Sequence, residues 1–226
     1  MSALPLLLFA KLPEPGKVKT RLARGIGAEA AAMLAAAFLA DAARLLGGLA
    51  GTAPVLCADP DPDADFFRQH FPSPWRRQAQ GPGDLGERLE RAIAGELARS
   101  PRAAAFGSDH PLLPPSELAP FLAEENAIWP TDDGGYAALV VSRRPGWETL
   151  FAGIPWSTPQ VLAATGERAR LAGIPLRAYP VTFDIDVAED LPRLEAEIEG
   201  LAPDAPAYPR STAEALARLR SERAAR

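Results

Sequence analysis

The stretch LPLLLFAKLPEPGKVKTRL, residues 4–22, decides the fold. An apolar run, Leu4 to Ala10, enters a Pro/Gly loop that carries Lys11, Lys17, Lys19 and Arg21 against a single acid, Glu14. The run is far shorter than the roughly 20 residues a membrane span needs. No basic residue precedes it and no small-residue cleavage site follows it, so it reads as a buried strand, Leu4–Phe9, rather than a signal-peptide core. A strand that ends in a polar loop and leaves into a helix is the opening unit of a parallel sheet covered by helices.

Outward from this unit the same alternation repeats. Ala28–Leu46 has the spacing of a long Ala/Leu helix through Met33, Ala37, Phe38, Ala42 and Leu45, and Gly47-Gly48 closes it. Strands are expected at Pro54–Ala58, Gln78–Gln80, Ala103–Phe106, Ala127–Trp129, Tyr136–Val141 and Leu176–Phe183. Helices are expected at Asp63–His70, Asp84–Ser100, Pro115–Glu124, from Ser157-Thr158-Pro159 to Ala172, at Ala188–Glu199 and at Thr212–Ala225. The pattern predicts a three-layer α/β/α domain with a mostly parallel central sheet over residues 1–200. Residues 201–210 form a Pro/Ala linker, and 201–226 is a C-terminal linker and helix that packs on the domain or trails from it.

Composition narrows the partners. In 226 residues a formal net charge of −5 argues against a nucleic-acid partner, whose binding rests on phosphate neutralisation by a basic face. No other segment is apolar enough to suggest a membrane. The single cysteine, Cys57, cannot form an internal disulfide, which fits a reducing compartment, so a cytoplasmic location is expected. Only three of the 24 basic residues are lysine, and all three lie within residues 11–19. In an arginine-rich chain that bias asks for compact ammonium charges, the kind that suit a polyphosphate.

In open α/β sheets, ligands bind beyond the carboxyl ends of the strands. Three polar clusters stand at such ends. The first is the loop itself, where Lys11, Gly16, Lys17, Lys19, Thr20 and Arg21 are candidate phosphate-binding residues. Gly16 permits close backbone approach, and the following helix start offers free N–H groups. The spacing is not that of a Walker loop, and the competing reading is a solvated basic turn. The second is GSDHP, 107–111, where Asp109 either points into the crevice or caps a turn before Pro111. The third is DIDVAED, 184–190. There Asp184 and Asp186 share a face if the chain is extended; otherwise Asp186 caps the next helix with Glu189 completing a capping box. Asp109, Asp184 and Asp186 are the candidate ligands of a hard divalent ion, Mg²⁺ or Mn²⁺, which takes carboxylate and phosphate oxygens. Lys17, Lys19 and Asp109 are the candidate catalytic groups.

Weaker signals come from three further motifs. In PTDDGGY, 130–136, Asp132, Asp133, Gly134 and Gly135 either line a substrate or form a plain hairpin turn. In GDLGERL, 83–89, Arg88 either reaches a phosphate or is an exposed helix residue. Trp156 and Ser157 of the WST motif either contact the acceptor or cap a helix. His70 and His110 have no metal-ligand spacing, and Cys57 reads as core.

Taken in order, FAKLPEPGKVKTRL, GDLGER, GSDHP, PTDDGGY, WST and DIDVAED resemble a bacterial family of glycosyltransferase-A-fold, or nucleotide-diphospho-sugar transferase, proteins, the radical-SAM/selenodomain-associated transferases, over about residues 4–200. The first loop is also similar to the basic loop of 2-phospho-lactate and molybdenum-cofactor guanylyltransferases. The resemblance implies magnesium held by Asp109 and Asp186; His110 departs from the small or uncharged residue that often precedes the proline. The leading expectation is metal-dependent nucleotidyl transfer from an NTP to a small phosphorylated or hydroxyl acceptor. Glycosyl transfer from an NDP-sugar and a non-catalytic nucleotide-binding regulatory module are the alternatives.

Overall fold

The computed structural model describes residues 3–205 and 207–224. It contains β1 (Leu4–Lys11), α1 (Thr20–Ile26), α2 (Ala28–Gly47), β2 (Thr52–Asp59), α3 (Asp65–His70), β3 (Arg76–Ala79), α4 (Leu85–Leu97) and β4 (Arg102–Gly107). The second half adds α5 (Pro115–Ala123), β5 (Ala127–Pro130), β6 (Tyr136–Ser142), α6 (Val161–Leu171), β7 (Arg177–Ala178), α7 (Leu191–Glu199) and α8 (Arg210–Ala224). The strands form one seven-stranded sheet in the order β3-β2-β1-β4-β6-β5-β7. Only β6 runs against the others, paired antiparallel with both β4 and β5. The sheet is therefore mostly parallel, as the alternation predicts.

The pleat of β1 shows why its sequence is apolar throughout. Leu6, Leu8 and Ala10 face one side of the sheet, in a core shared with α2, α3 and α5. Leu7 and Phe9 face the other, against α4 and α6. A strand covered on both faces has no solvent side to mark with polar residues. Its first polar side chain, Lys11, comes where the sheet ends.

A third cluster lies outside the sheet and joins Leu22, Leu34, Phe38, Ile185, Leu194, Leu216 and Leu219. Helix α2 serves two cores: Leu39 and Leu46 pack on the sheet, while Leu34 and Phe38 pack on α8. It is long and apolar enough to cross a membrane by length and composition, and its apolar surface is spent on these two contacts. The C-terminal helix docks on α2, where buried Asp41 accepts hydrogen bonds from Ser211 N (3.1 Å), Thr212 N (2.8 Å) and Thr212 Oγ1 (2.7 Å). An acceptor on one helix thus satisfies the orphan donors at the start of another. Ala225, the expected last residue of this helix, lies outside the described residues.

Several expected elements change. The strand expected over Leu176–Phe183 shrinks to β7, because Pro180 has no N–H to offer the ladder. Pairing resumes beyond it through Thr182 N and Pro130 O, 2.9 Å apart. The helix expected from Ala188 begins as a 3-10 turn, Ala188–Asp190, and becomes α-helical at Leu191, with Pro192 in its first turn. The third strand begins earlier, at Arg76, where Arg76 pairs with buried Glu96 of α4 at 2.7 Å. Helix α6 starts at Val161 with no side-chain cap; Thr158 Oγ1 instead donates to Pro155 O at 2.6 Å.

Candidate active site

The loop 10–21, the segment after β4 and the segment 184–186 meet at one edge of the sheet. They enclose a cavity of about 390 Å³ lined by Lys11, Lys17, Lys19, Thr20, Arg21, Ser108, Asp109 and Asp186, with Phe9, Gln80, Leu85 and Leu39 among its other walls. This is the position at the carboxyl ends of the strands that the alternation points to.

Lys19 stands at its centre. Its ammonium lies 2.9 Å from Asp109 Oδ2 and 3.0 Å from Asp186 Oδ1, with a side chain only 5% exposed. The backbone explains the inward aim: Lys19 has φ +46°, a left-handed conformation uncommon for a residue with a Cβ, and it immediately precedes α1. Buried Val18 and Leu22 on either side hold the turn against the core. Gly16, with φ +78° and open space around it, supplies the bend before it.

The electrostatics follow from this geometry. Burial pulls the Lys19 ammonium toward neutrality, but the two carboxylates outweigh it and hold its pKa above the ordinary value. Burial pushes Asp109 up, and the adjacent Lys19 charge reverses that and holds it below the usual carboxylate range. Asp186 also receives a charged hydrogen bond from Arg21.

The other loop cations stand differently. Lys17 pairs with Glu14 at 2.6 Å, and the two side chains are 73% and 39% exposed. Such a pair contributes at most about 1 kcal/mol and is easily exchanged for a stronger anion. Lys11 is exposed at the end of β1, and Thr20 is exposed on the cavity wall. The lysine bias of the loop therefore divides in two: two solvated ammonium groups, and one that is internal. Lys19 stands apart from the other two, because its left-handed backbone directs it into the carboxylate pair.

Two side-chain arrangements hold the carboxylates in place. Asp190 Oδ2 accepts hydrogen bonds from Asp186 N (2.7 Å) and Val187 N (2.8 Å), closing the turn that presents Asp186. The cap is thus Asp190, not the expected Asp186 with Glu189. His110 Nδ1 lies 3.3 Å from Phe183 O, so this histidine ties the Asp109 loop to the chain leading into Asp186. Burial lowers the His110 pKa, which suits a neutral bridging ring.

Asp184 does not join them. The chain there is not a strand, Ile185 turns into the outer core, and Asp184 is not among the cavity residues. Burial and the neighbouring charges of Asp186 and Asp133, opposed by Lys19, push its pKa up to about 7. Among the described residues no group of three or more His, Cys, Asp or Glu side chains is placed to hold a metal ion. The two carboxylate oxygens that share Lys19 are separated by no more than the sum of its two contacts, about 6 Å. Two carboxylates completed by substrate phosphates suit magnesium, which keeps few protein ligands; they do not make a closed protein-only cage.

Of the remaining motifs, GDLGER reaches the cavity through Leu85, and the others interlock around it. Any side chain at Gly86 would strike Trp156 Nε1 at 2.2 Å, and any at Gly134 would strike Pro159 O at 2.1 Å. Trp156 also meets Tyr136 edge-on, with ring centroids 6.3 Å apart. Asp133 folds back on its own hairpin, accepting from Thr131 Oγ1 (2.6 Å) and Gly135 N (2.9 Å), while Asp132 pairs with Arg193 at 2.6 Å. Ser157 adopts φ +62° on the exposed side of this joint. Arg88 bonds Asp59 (3.1 Å), Gln80 Oε1 (3.2 Å) and Gly83 O (2.9 Å), so it braces β2 and α4. Gln80, missed in the sequence, lines the cavity and donates to Ala10 O (3.1 Å) and Cys57 O (2.9 Å). Its place right after a short strand is the signal that could have found it.

Comparison with known proteins identifies the family and the fold. Residues 32–158 match the family described as "Uncharacterized protein conserved in bacteria (DUF2064)", and the chain belongs to that family. No curated protein matches it. A crystal structure of a provisionally named nucleotide-diphospho-sugar transferase from Desulfovibrio desulfuricans G20 is similar at 31% identity and TM-score 0.85, covering 98% of both chains. At the level of fold alone, the chain is similar to a cytidylyltransferase from Leptospira borgpetersenii serovar Hardjo-bovis (12% identity, TM-score 0.59, 99% of this chain and 96% of that one). It is likewise similar to CMP:2-keto-3-deoxy-manno-octonic acid synthetase complexed with CTP (14% identity, TM-score 0.53, 88% and 99%). The architecture is that of the nucleotide-diphospho-sugar transferase fold.

Proposed function

We propose that this protein is a nucleotide-utilising transferase that catalyses nucleotidyl transfer from an NTP to a small phosphorylated or hydroxyl acceptor. The observation that carries the reading is one cavity lined both by Lys11, Lys17 and Arg21 and by the Asp109–Asp186 pair. In this reaction a phosphate oxygen of the acceptor, or a hydroxyl that gives its proton to solvent, attacks the α-phosphorus, the bond from that phosphorus to the bridging oxygen breaks, and pyrophosphate leaves with its charge. Lys11, Lys17 and Thr20 bind and orient the triphosphate, and Arg21 takes up charge on the departing pyrophosphate. Asp109 and Asp186 would hold magnesium together with phosphate oxygens, and that ion neutralises developing charge when bound. Exchange of the Lys17–Glu14 pair for Lys17–phosphate trades an exposed ion pair for a multivalent anion.

A second reading, glycosyl transfer from an NDP-sugar, is favoured by the name of the Desulfovibrio relative. The lysine-rich loop favours the first, since a diphosphate needs fewer cations. Calorimetry with NTP, NDP and NMP in magnesium tests the site: affinity should fall in that order, with the steps reduced in Lys11→Ala and Lys17→Ala. Equal affinities for the three, unchanged in both variants, would return the loop to a solvated turn. Pyrophosphate release against NDP release then separates the two reactions.

A further inference from the structure

We infer that Lys19 is the resident cation of the Asp109–Asp186 pair, so that a divalent ion can use this pair only by displacing the Lys19 ammonium. The inference deepens the proposed function, but its first test needs no nucleotide and stands or falls without it.

Three observations converge. The ammonium contacts one oxygen of each carboxylate, at 2.9 and 3.0 Å, and so sits where an ion shared by both would sit. The remaining oxygen of Asp186 is engaged by Arg21, so the carboxylate is neutralised on both sides. The side chain that carries the ammonium is 5% exposed and is aimed inward by a left-handed backbone, an arrangement that does not relax by simple solvation. A second cation placed against the same oxygens would face the ammonium charge at contact range, with little water between them. What can draw Lys19 away is a competing anion of higher charge, and the cavity wall holding Lys11 and Lys17 is where a polyphosphate would lie. Metal and polyphosphate then enter together: phosphate oxygens take Lys19 as the ion takes the carboxylates. Lys19 acts here as a positioning residue that holds two facing carboxylates together.

Manganese binding to the full-length protein, followed by electron paramagnetic resonance of free Mn²⁺ with no nucleotide present, tests the inference. Lys19→Met keeps the stem and removes the charge. It should bind Mn²⁺ at least tenfold more tightly than the wild type, and adding Asp109→Asn should abolish that gain. A folded Lys19→Met protein that gains nothing, or a wild type that already binds Mn²⁺ as tightly, would overturn the inference. Should Lys19→Met fail to fold, amine acylation read by mass spectrometry decides on the wild type, because the chain has only three lysines. Lys11 and Lys17 should react at least tenfold faster than Lys19, and the advantage should vanish in the Asp109→Asn/Asp186→Asn protein. Lys19 reacting as fast as Lys17 in the wild type refutes it. Failure here with an intact NTP > NDP > NMP order would leave the transferase reading standing. The reverse outcome would sink that reading alone.

Discussion

Two polar regions of this molecule look alike in sequence and differ in the structure. The loop 11–21 with Asp109 and Asp186 surrounds open volume. The joint of GDLGER, PTDDGGY and WST is filled by its own side chains, with Trp156 seated against Gly86 and Pro159 against Gly134. Both regions hold glycine and carboxylate groups, the first with the added cations of its loop, and both stand beside strand ends. The difference is what occupies the space the glycines leave: in the first it is free for a ligand, in the second it holds an indole and a backbone carbonyl. A glycine-rich motif marks close approach, and only packing says whether the thing approaching is a substrate or the protein itself.

The comparison breaks most readily at Asp109. Asp109→Ala should lower turnover by about 100-fold or more, the scale of losing a preorganised charge at a reacting phosphate. Its carboxylate is at the rim, 44% exposed, and Lys19 keeps Asp186, so Tm should move by no more than about 5 °C. Near wild-type turnover with magnesium would remove Asp109 from the site.

The joint should show the opposite split. Gly86→Ala and Gly134→Ala each force a Cβ into contacts near 2 Å, and Gly134 in addition has φ +87°. Each should cost roughly 1–3 kcal/mol by overpacking, read as a lower midpoint in urea with an unchanged slope. NTP affinity of the folded protein should stay the same. Lost affinity without lost stability would move the joint into the ligand site.

The smallest effect tests how tightly the core beneath the joint is packed. Cys57 shares the cluster of Leu89, Tyr136 and Trp156, and burial pushes its thiol up to about 12. A folded-state pKa above the unfolded one means that this contribution to stability is complete below about 9 and is lost as pH rises toward 12. The native protein should therefore resist thiol reagents at pH 8 and react on unfolding. Fast labelling of the folded protein would show a looser joint than the contacts describe.

The fold was legible because hydrophobic periodicity is local. The run Leu4–Ala10, the spacing through Ala28–Leu46 and the Gly47-Gly48 stop each act within a few residues, and together they specify a mostly parallel covered sheet. The antiparallel course of β6 follows from the tight Thr131–Gly135 turn, which is also local. Pro180 is just as visible, and its missing N–H ends the last strand at Ala178.

The site was legible only as three candidate loops. That Asp109 and Asp186 face one another while Asp184 stays out of the cavity depends on His110 reaching Phe183 O and Asp190 closing the 186–187 turn. It depends also on Gly25 letting Ala188 approach within 2.5 Å of where its Cβ would be. These contacts join residues far apart in the chain, and no short-range pattern encodes them. The sequence by itself determined the strands, the long helix and the concentration of lysine in one loop, since each is a property of neighbouring residues. Only the tertiary structure decided that Lys19 differs from Lys11 and Lys17. An ammonium's role is set by the charges within a few ångströms of it, and those belong to residues 90 and 167 positions further along the chain.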